Sequence, residues 1–332
     1  MCVSPITLVS IRSRCPARKQ SGVTLLELLI ALGLGLMISA AVAAIFVSSR
    51  NAYALLDDSA RLDDNGRFAI EVLTRAVRQS DYRALDALSE SADTGPAING
   101  WDAHSLKGKA AGIAQSLTAA VNGSDVLAVR FSGAGAGAGG DGSIVNCAGF
   151  GVAERVDKSD ADAHGWSIFY VAKGRTGEPE LYCRYRGKSA WASAAIARGV
   201  ESFQVLYGVG ESAASLPRRF LSASQIDALD DELPLRGTNA VERALDKSMQ
   251  SHWRKISEVR VALLVRGTQA VRGDKPTLTH DLFGADYAAR QGAVDPGSSI
   301  REAALPASQR ARLRRIFGAT IRVRNANSVG SP

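Results

Sequence analysis

Ser21-Gly22-Val23-Thr24-Leu25-Leu26-Glu27-Leu28-Leu29-Ile30 opens an apolar run that continues to Val47. Between Val23 and Ser49 the only formal charge is Glu27. About 20 apolar residues carry a helix across a hydrocarbon layer of about 30 Å, so residues 23–49 read as a membrane-spanning helix. A carboxylate inside lipid is costly and is kept for a partner or a function. Glu27 lies one helical turn beyond position 23, within reach of an amine created there by a cut after Gly22. Arg12, Arg14, Arg18 and Lys19 precede the span, whereas only Arg50 closely follows it, with Asp57 and Asp58 beyond. That asymmetry places the N-terminus in the cytoplasm and the remainder on the far side of the membrane.

The order of basic leader, glycine, apolar residue, Thr-Leu-Leu-Glu-Leu and long apolar helix resembles the class III signal of type IV pilins and type II secretion pseudopilins. The resemblance implies a leader, residues 1–22, removed by a prepilin peptidase that cuts between Gly22 and Val23. It further implies N-methylation of Val23 and an assembly contact made by Glu27. Val23 departs from the family's usual Phe. Two other readings of the same stretch are an ordinary secretory signal and a plain single-pass anchor. In the first, Ala41-Val42-Ala43 is the cleavage site and a soluble binding protein is released after Ala43. Such a signal has no use for a glutamate in its apolar core.

At 332 residues the chain has room for one or two domains. Its formal charge of +7 points toward nucleic acid or anionic lipid. The leader holds four of the 40 basic residues and no acid, which leaves 36 against 33, or +3, after cleavage. Cys2 and Cys15 leave with the leader, so Cys147 and Cys183 form the one pair of the mature chain. An even count in an exported chain suggests a disulfide, the other reading being two buried thiols. Neither a CxxC, an HExxH nor a zinc spacing occurs, and no Ser/His/Asp set or carboxylate pair stands out. No enzyme, metal site or cofactor is expected.

From Asn51 to Tyr82 the sequence is amphipathic. Leu55, Leu62, Ala69 and Ala76 recur every seven residues, joined by Phe68, Val72, Leu73 and Val77. The span therefore continues as a soluble helical segment, residues 50–83, with Asn65-Gly66 a possible irregularity. No proline occurs between Val23 and Gly95, which permits one rod of about 85 Å. A connecting loop over Ser89–Leu117 precedes strands expected at Val126–Phe131, Trp166–Ala172, Glu180–Arg186, Val200–Val209, Glu258–Arg266 and Ala319–Arg324. The last two alternate polar and apolar residues, as in an antiparallel sheet wet on one side. Long loops are expected at Gly210–Ser251 and Gly273–Ser308. The expected fold class is α+β and pilin-like, with a long N-terminal helix packed on a mainly antiparallel β domain over residues 84–332.

Asn65-Gly66-Arg67-Phe68-Ala69-Ile70-Glu71-Val72-Leu73 with Tyr82-Arg83 resembles the helix of PilW-type minor pilins. Ser257 through Arg266, and Arg314-Arg315-Ile316-Phe317 through Asn325, resemble that group's terminal strands; the middle, from Ala84 to Arg254, carries no motif that places it. The resemblance implies a minor pilin that helps to initiate pilus assembly. Its implied partners are the peptidase, other minor pilins, the major pilin, inner-membrane lipid and a tip adhesin. The alternative is a minor pseudopilin of type II secretion, most like the J class.

Gly135, Gly137 and Gly140 satisfy G-x-G-x-x-G, but no helix opens after them to receive a pyrophosphate, so a loop is expected. Asp227, Asp230, Asp231 and Glu232 lack the ligand spacing of a calcium loop and read as solvated. His104, His164, His252 and His280 share no ligand spacing. Arg310, Arg312, Arg314, Arg315, Arg322 and Arg324 stand without an acid among residues 308–324. They read as a solvated or subunit-facing strand rather than a DNA contact.

Overall fold

The computed structural model describes residues 22–82, 95–107, 112–113, 116–154, 164–187, 190–212, 215–270, 272 and 278–324. The leader upstream of Gly22, with Cys2 and Cys15, lies outside the described residues, as does Asn325. The chain divides into two compact units at Tyr53/Ala54.

Helix α1, Leu25–Gln79, runs through both units without a break. In the first unit its apolar side chains have no cover: Leu36 and Ile45 are each about 70% exposed, and none of the most apolar window is buried among the described residues. By length and composition this segment can cross a membrane. In the second unit the helix buries Asp58, Leu62, Gly66, Ala69, Val72, Leu73, Ala76 and Val77 along one face. Leu55 and Phe68, expected on that face, are solvent-exposed instead. Phe68 is about 100° around the helix from the buried Ala69, and Leu55 lies above the first buried turn. Asn65-Gly66 does not interrupt the helix. Gly66 is buried because the Phe317 ring occupies the space a Cβ would take.

The strands follow as β1 (Ile98–Trp101), β2 (Ser105–Leu106), β3 (Ser116–Leu117), β4 (Val126–Phe131), β5 (Gly165–Lys173), β6 (Pro179–Arg186), β7 (Trp191–Arg198), β8 (Val200–Val209) and β9 (Arg219–Leu221). Two helices, α2 (Ala223–Asp231) and α3 (Ala240–Gln250), come next. The chain then forms β10 (Ile256–Arg266), β11 (Thr279–Asp281), α4 (Ala285–Gln291), β12 (Ser299–Arg301) and β13 (Arg314–Arg322). Five strands make an antiparallel sheet ordered β1-β4-β5-β6-β7, and four make a second, ordered β13-β10-β8-β9. Gly199, at φ 74°, is the corner between them: the carbonyl of Arg266 lies where a Cβ would stand. The main core joins the α1 face to Leu127, Val129, Phe169 and Leu181 of the first sheet and to Phe203, Val205, Val259, Val261 and Leu263 of the second. The architecture is α+β, a long N-terminal helix with antiparallel sheets.

Several expectations need correction. The presumed loops at 210–251 and 273–308 contain β9, α2, α3, β11, α4 and β12, and the connection at 89–117 contains β1, β2 and β3. β7 was not foreseen, because Ala and Ser dominate it and give little alternation. β13 begins at Arg314, five residues earlier than expected, because its pairing with β10 extends to Arg266↔Arg314. The outer face of β10 is not simply wet: Ala262 and Leu264 are buried with Leu282 against Phe283 and Ile300.

Candidate functional site

Gly22 and Val23 are exposed and precede α1, and a Cβ at Gly22 would meet no atom within 4 Å. The first turn of the helix is closed by Thr24 and Glu27. The backbone N–H of Glu27 donates to Thr24 Oγ1 at 3.3 Å, and the backbone N–H of Thr24 donates to Glu27 Oε2 at 3.0 Å. Thr24 Oγ1 donates to the same oxygen at 3.1 Å. This is a reciprocal capping box, Thr-x-x-Glu, in which two orphan N–H groups of the helix start are satisfied. It also sets a carboxylate at the positive end of the helix dipole. Thr24 was not singled out in the sequence, although Thr24-x-x-Glu27 before an apolar run is the pattern by which it could have been. Glu27 Oε1 takes no hydrogen bond among the described residues and stays open to a second donor.

Cys147 and Cys183 are joined as a disulfide, with Cα atoms 5.9 Å apart. Cys183 sits mid-strand in β6, and Cys147 lies in the excursion between β4 and β5. That excursion folds on itself through Ala134 N–H to Val152 O and Val152 N–H to Ile144 O. Gly135, Gly137 and Gly140 belong to it with left-handed backbones and no following helix, so the loop has no phosphate-binding geometry.

Only part of the arginine stretch, the alternating Arg322 and Arg324, is the solvated strand expected. Arg314 is fully buried, donating from Nε to Glu201 at 2.6 Å and from Nη2 at 3.0 Å. Arg312 approaches Glu178, Arg315 pairs with Asp63 of α1, and Arg310 donates to the carbonyls of Leu305 and Ala303. Arg322 and Arg324 remain exposed. The network continues to Arg266, which pairs with Glu178. Burial, and then the charges of Arg312 and Arg314, push its guanidinium down to about 10. Burial pushes Glu302 up, but hydrogen bonds from His280 and Arg272 outweigh it and hold the carboxyl below its usual range.

The acidic run is not in a loop, although Asp227, Asp231 and Glu232 are exposed as expected. It lies at the end of α2, where Asp230 is buried and accepts from Ser251 Oγ, from the backbone N–H of His252 at 2.8 Å and meets its Nδ1 at 2.7 Å. Asp227 accepts from Trp253 Nε1 at 2.8 Å, and Asp231 from Lys247 at 2.7 Å. These carboxylates fasten the α2–α3 segment to the start of β10. Asp58, beside the expected span, is buried. Its Oδ1 accepts from the backbone N–H of Thr268 at 2.8 Å and of Gln269 at 3.3 Å, fixing α1 to the end of β10.

An exposed apolar helix headed by a glycine and a capped glutamate, followed by antiparallel sheets, defines a type IV pilin-like protein. Residues 17–46 match the prokaryotic N-terminal methylation motif, and residues 168–325 match the Type IV Pilus-assembly protein W family model. The chain thus carries a match to the PilW domain behind a methylation motif. The PilW match includes the terminal strands noted above and begins inside the middle segment that no motif had placed; the Asn65–Arg83 patch lies outside it. A type IV-like pilin from Thermus thermophilus is similar at 16% identity and a TM-score of 0.35, covering 80% of this chain and 98% of that one. No curated protein matches.

Proposed function

We propose that the protein is made as a precursor, cut after Gly22, N-methylated on Val23 and held in the inner membrane by α1, with its N-terminus cytoplasmic and residues 84–332 periplasmic. From there it joins other minor pilins to initiate pilus assembly and enters the pilus or its tip complex. Type II secretion pseudopilins share the signal; the PilW match over residues 168–325 favours the pilus. The observation that carries the reading is the methylation motif over residues 17–46, running into an uncovered apolar stretch whose only charge between Val23 and Ser49 is Glu27.

In this reading Glu27 meets the Val23 amine of a neighbouring subunit. An unpaired charge in a low-dielectric bundle is penalised by several kcal/mol, so the pair sets the register of the helices. The capping box supplies a second role that the test must separate. Glutamine serves at the third position of a capping box as well as glutamate, so Glu27→Gln keeps the helix start and removes only the charge. The variant should be cleaved after Gly22, remain in the membrane and fail to assemble or to co-purify with other minor pilins. Wild-type assembly at normal protein levels would leave the charge without an assembly role.

A further inference from the structure

We propose that the exposed stripe of α3 docks on the β13 edge of a second copy of this chain. Helix α3 has 11 residues and no buried one. Val241, Leu245 and Met249, four residues apart, are 79%, 50% and 43% exposed. Isolated helices of this length are marginal in water, and most helical stability comes from burying an apolar face. This helix instead has its own cap, Asn239 Oδ1 accepting from the Glu242 N–H at 2.9 Å, and a polar tie from Lys247 to Asp231. Its apolar stripe is left for another molecule.

Charge selects the occupant. Glu242 and Asp246 line one flank of the stripe, and hydrogen bonds from Thr238 and from Arg236 with Gln250 hold both carboxyls below their usual range, so they stay ionised. Residues 227–247 carry six acids and three bases, and Asp231 and Glu232 are exposed beside α3. A symmetric α3-to-α3 contact would face these acids with one another. The complementary surface is present on the same chain. Among the described residues β13 pairs only with β10, and its outward face presents Ile316, Thr320 and Arg322, with Arg324 just beyond. Residues 308–324 contain no acid.

The two surfaces belong to opposite edges of one sheet. In the order β13-β10-β8-β9, β13 is one edge and β9 is the other, and the chain passes from β9 through α2 to α3. An interface joining unlike surfaces is heterologous: it leaves the second surface of each copy open for a further one. It requires neither Glu27 nor Val23, and so goes beyond the assembly contact above.

The test uses full-length protein in cells. One tagged copy carries Leu245→Cys, a differently tagged copy carries Ile316→Cys, and a short bismaleimide is added. A hetero-tagged dimer that needs both cysteines is expected. Adding Arg322→Glu and Arg324→Glu to the second copy should lower its yield about fivefold, which corresponds to losing roughly 1 kcal/mol of charge attraction. No dimer, although a monofunctional maleimide labels each thiol, would overturn the proposal. So would a dimer from Leu245→Cys alone, or adducts only to other proteins. Cleavage after Gly22, measured by mass on the same samples, separates failure of this contact from failure of the pilin reading.

Discussion

In the proposed reading, Gly22 and Glu27 act through what their side chains lack or hold. At Gly22 the backbone is open, and a peptidase that must draw the scissile bond close tolerates little beyond a hydrogen there. Gly22→Ala or a bulkier residue should leave the leader attached; mature protein in wild-type amount, weighed by mass spectrometry, would refute cleavage at this bond. Glu27 was readable as the one charge of the apolar run. That it also completes a capping box with Thr24 depends on where the helix begins, and Leu25 as the first helical residue decides this. Asp58 shows the opposite case: read as a flanking charge, it is buried and serves the backbone of Thr268 and Gln269, 210 and 211 residues away.

At the scale of elements, the second-unit part of α1 is held by shape as much as by apolarity. Gly66 faces the Phe317 ring of β13 with no room for a Cβ. Gly66→Val should therefore destabilise the domain by about 2 kcal/mol, typical of overpacking, although valine is the better helix former. A thermal melt of the purified full-length protein in detergent measures it, and Phe317→Ala in the same chain should recover part of the loss. The strands called from alternation and β-branched content, β4, β5, β6, β8 and β10, stand where periodicity put them. β7 and the short helices escaped because Ala, Ser and scattered charge carry no strong period.

For the whole molecule, the disulfide closes a loop of 36 residues, for which the chain-entropy model gives about 4 kcal/mol. Replacing both cysteines with alanine should lower the melting temperature and the periplasmic level; an unchanged melt would show that the bridge adds nothing to the fold. Acid should act the other way. Asp125 is driven well above its usual range by burial and by Asp102 and Asp295, and burial raises Asp295 to about 6. Both take up protons more readily folded than unfolded, so stability should rise as pH falls from 7 through 6 to 5. For Asp295 alone the gain is about 1 kcal/mol over that window. Below about pH 4 the carboxylates held low, Glu302 among them, lose their contribution and stability should fall. Melts of wild type and Asp295→Asn check this: the variant should show a flatter rise between pH 7 and 5, and identical slopes would refute the assignment.

The apolar run, the glycine before it, the lone glutamate and the even cysteine pair were legible in the sequence because each rests on local composition, covalent spacing or the cost of charge in lipid. Strand positions in the alternating segments were legible for the same reason. Only the tertiary structure decided the fate of the charges. Arg314 and Asp230, which look like solvated residues in a basic stretch and an acidic run, are buried because partners far away in the chain, Glu201 for one and Ser251 and His252 for the other, are brought to them by sheet pairing and the return of the chain from α3 to β10. A charge carries no sign in sequence of whether water or a counter-ion will face it, since that depends on long-range packing.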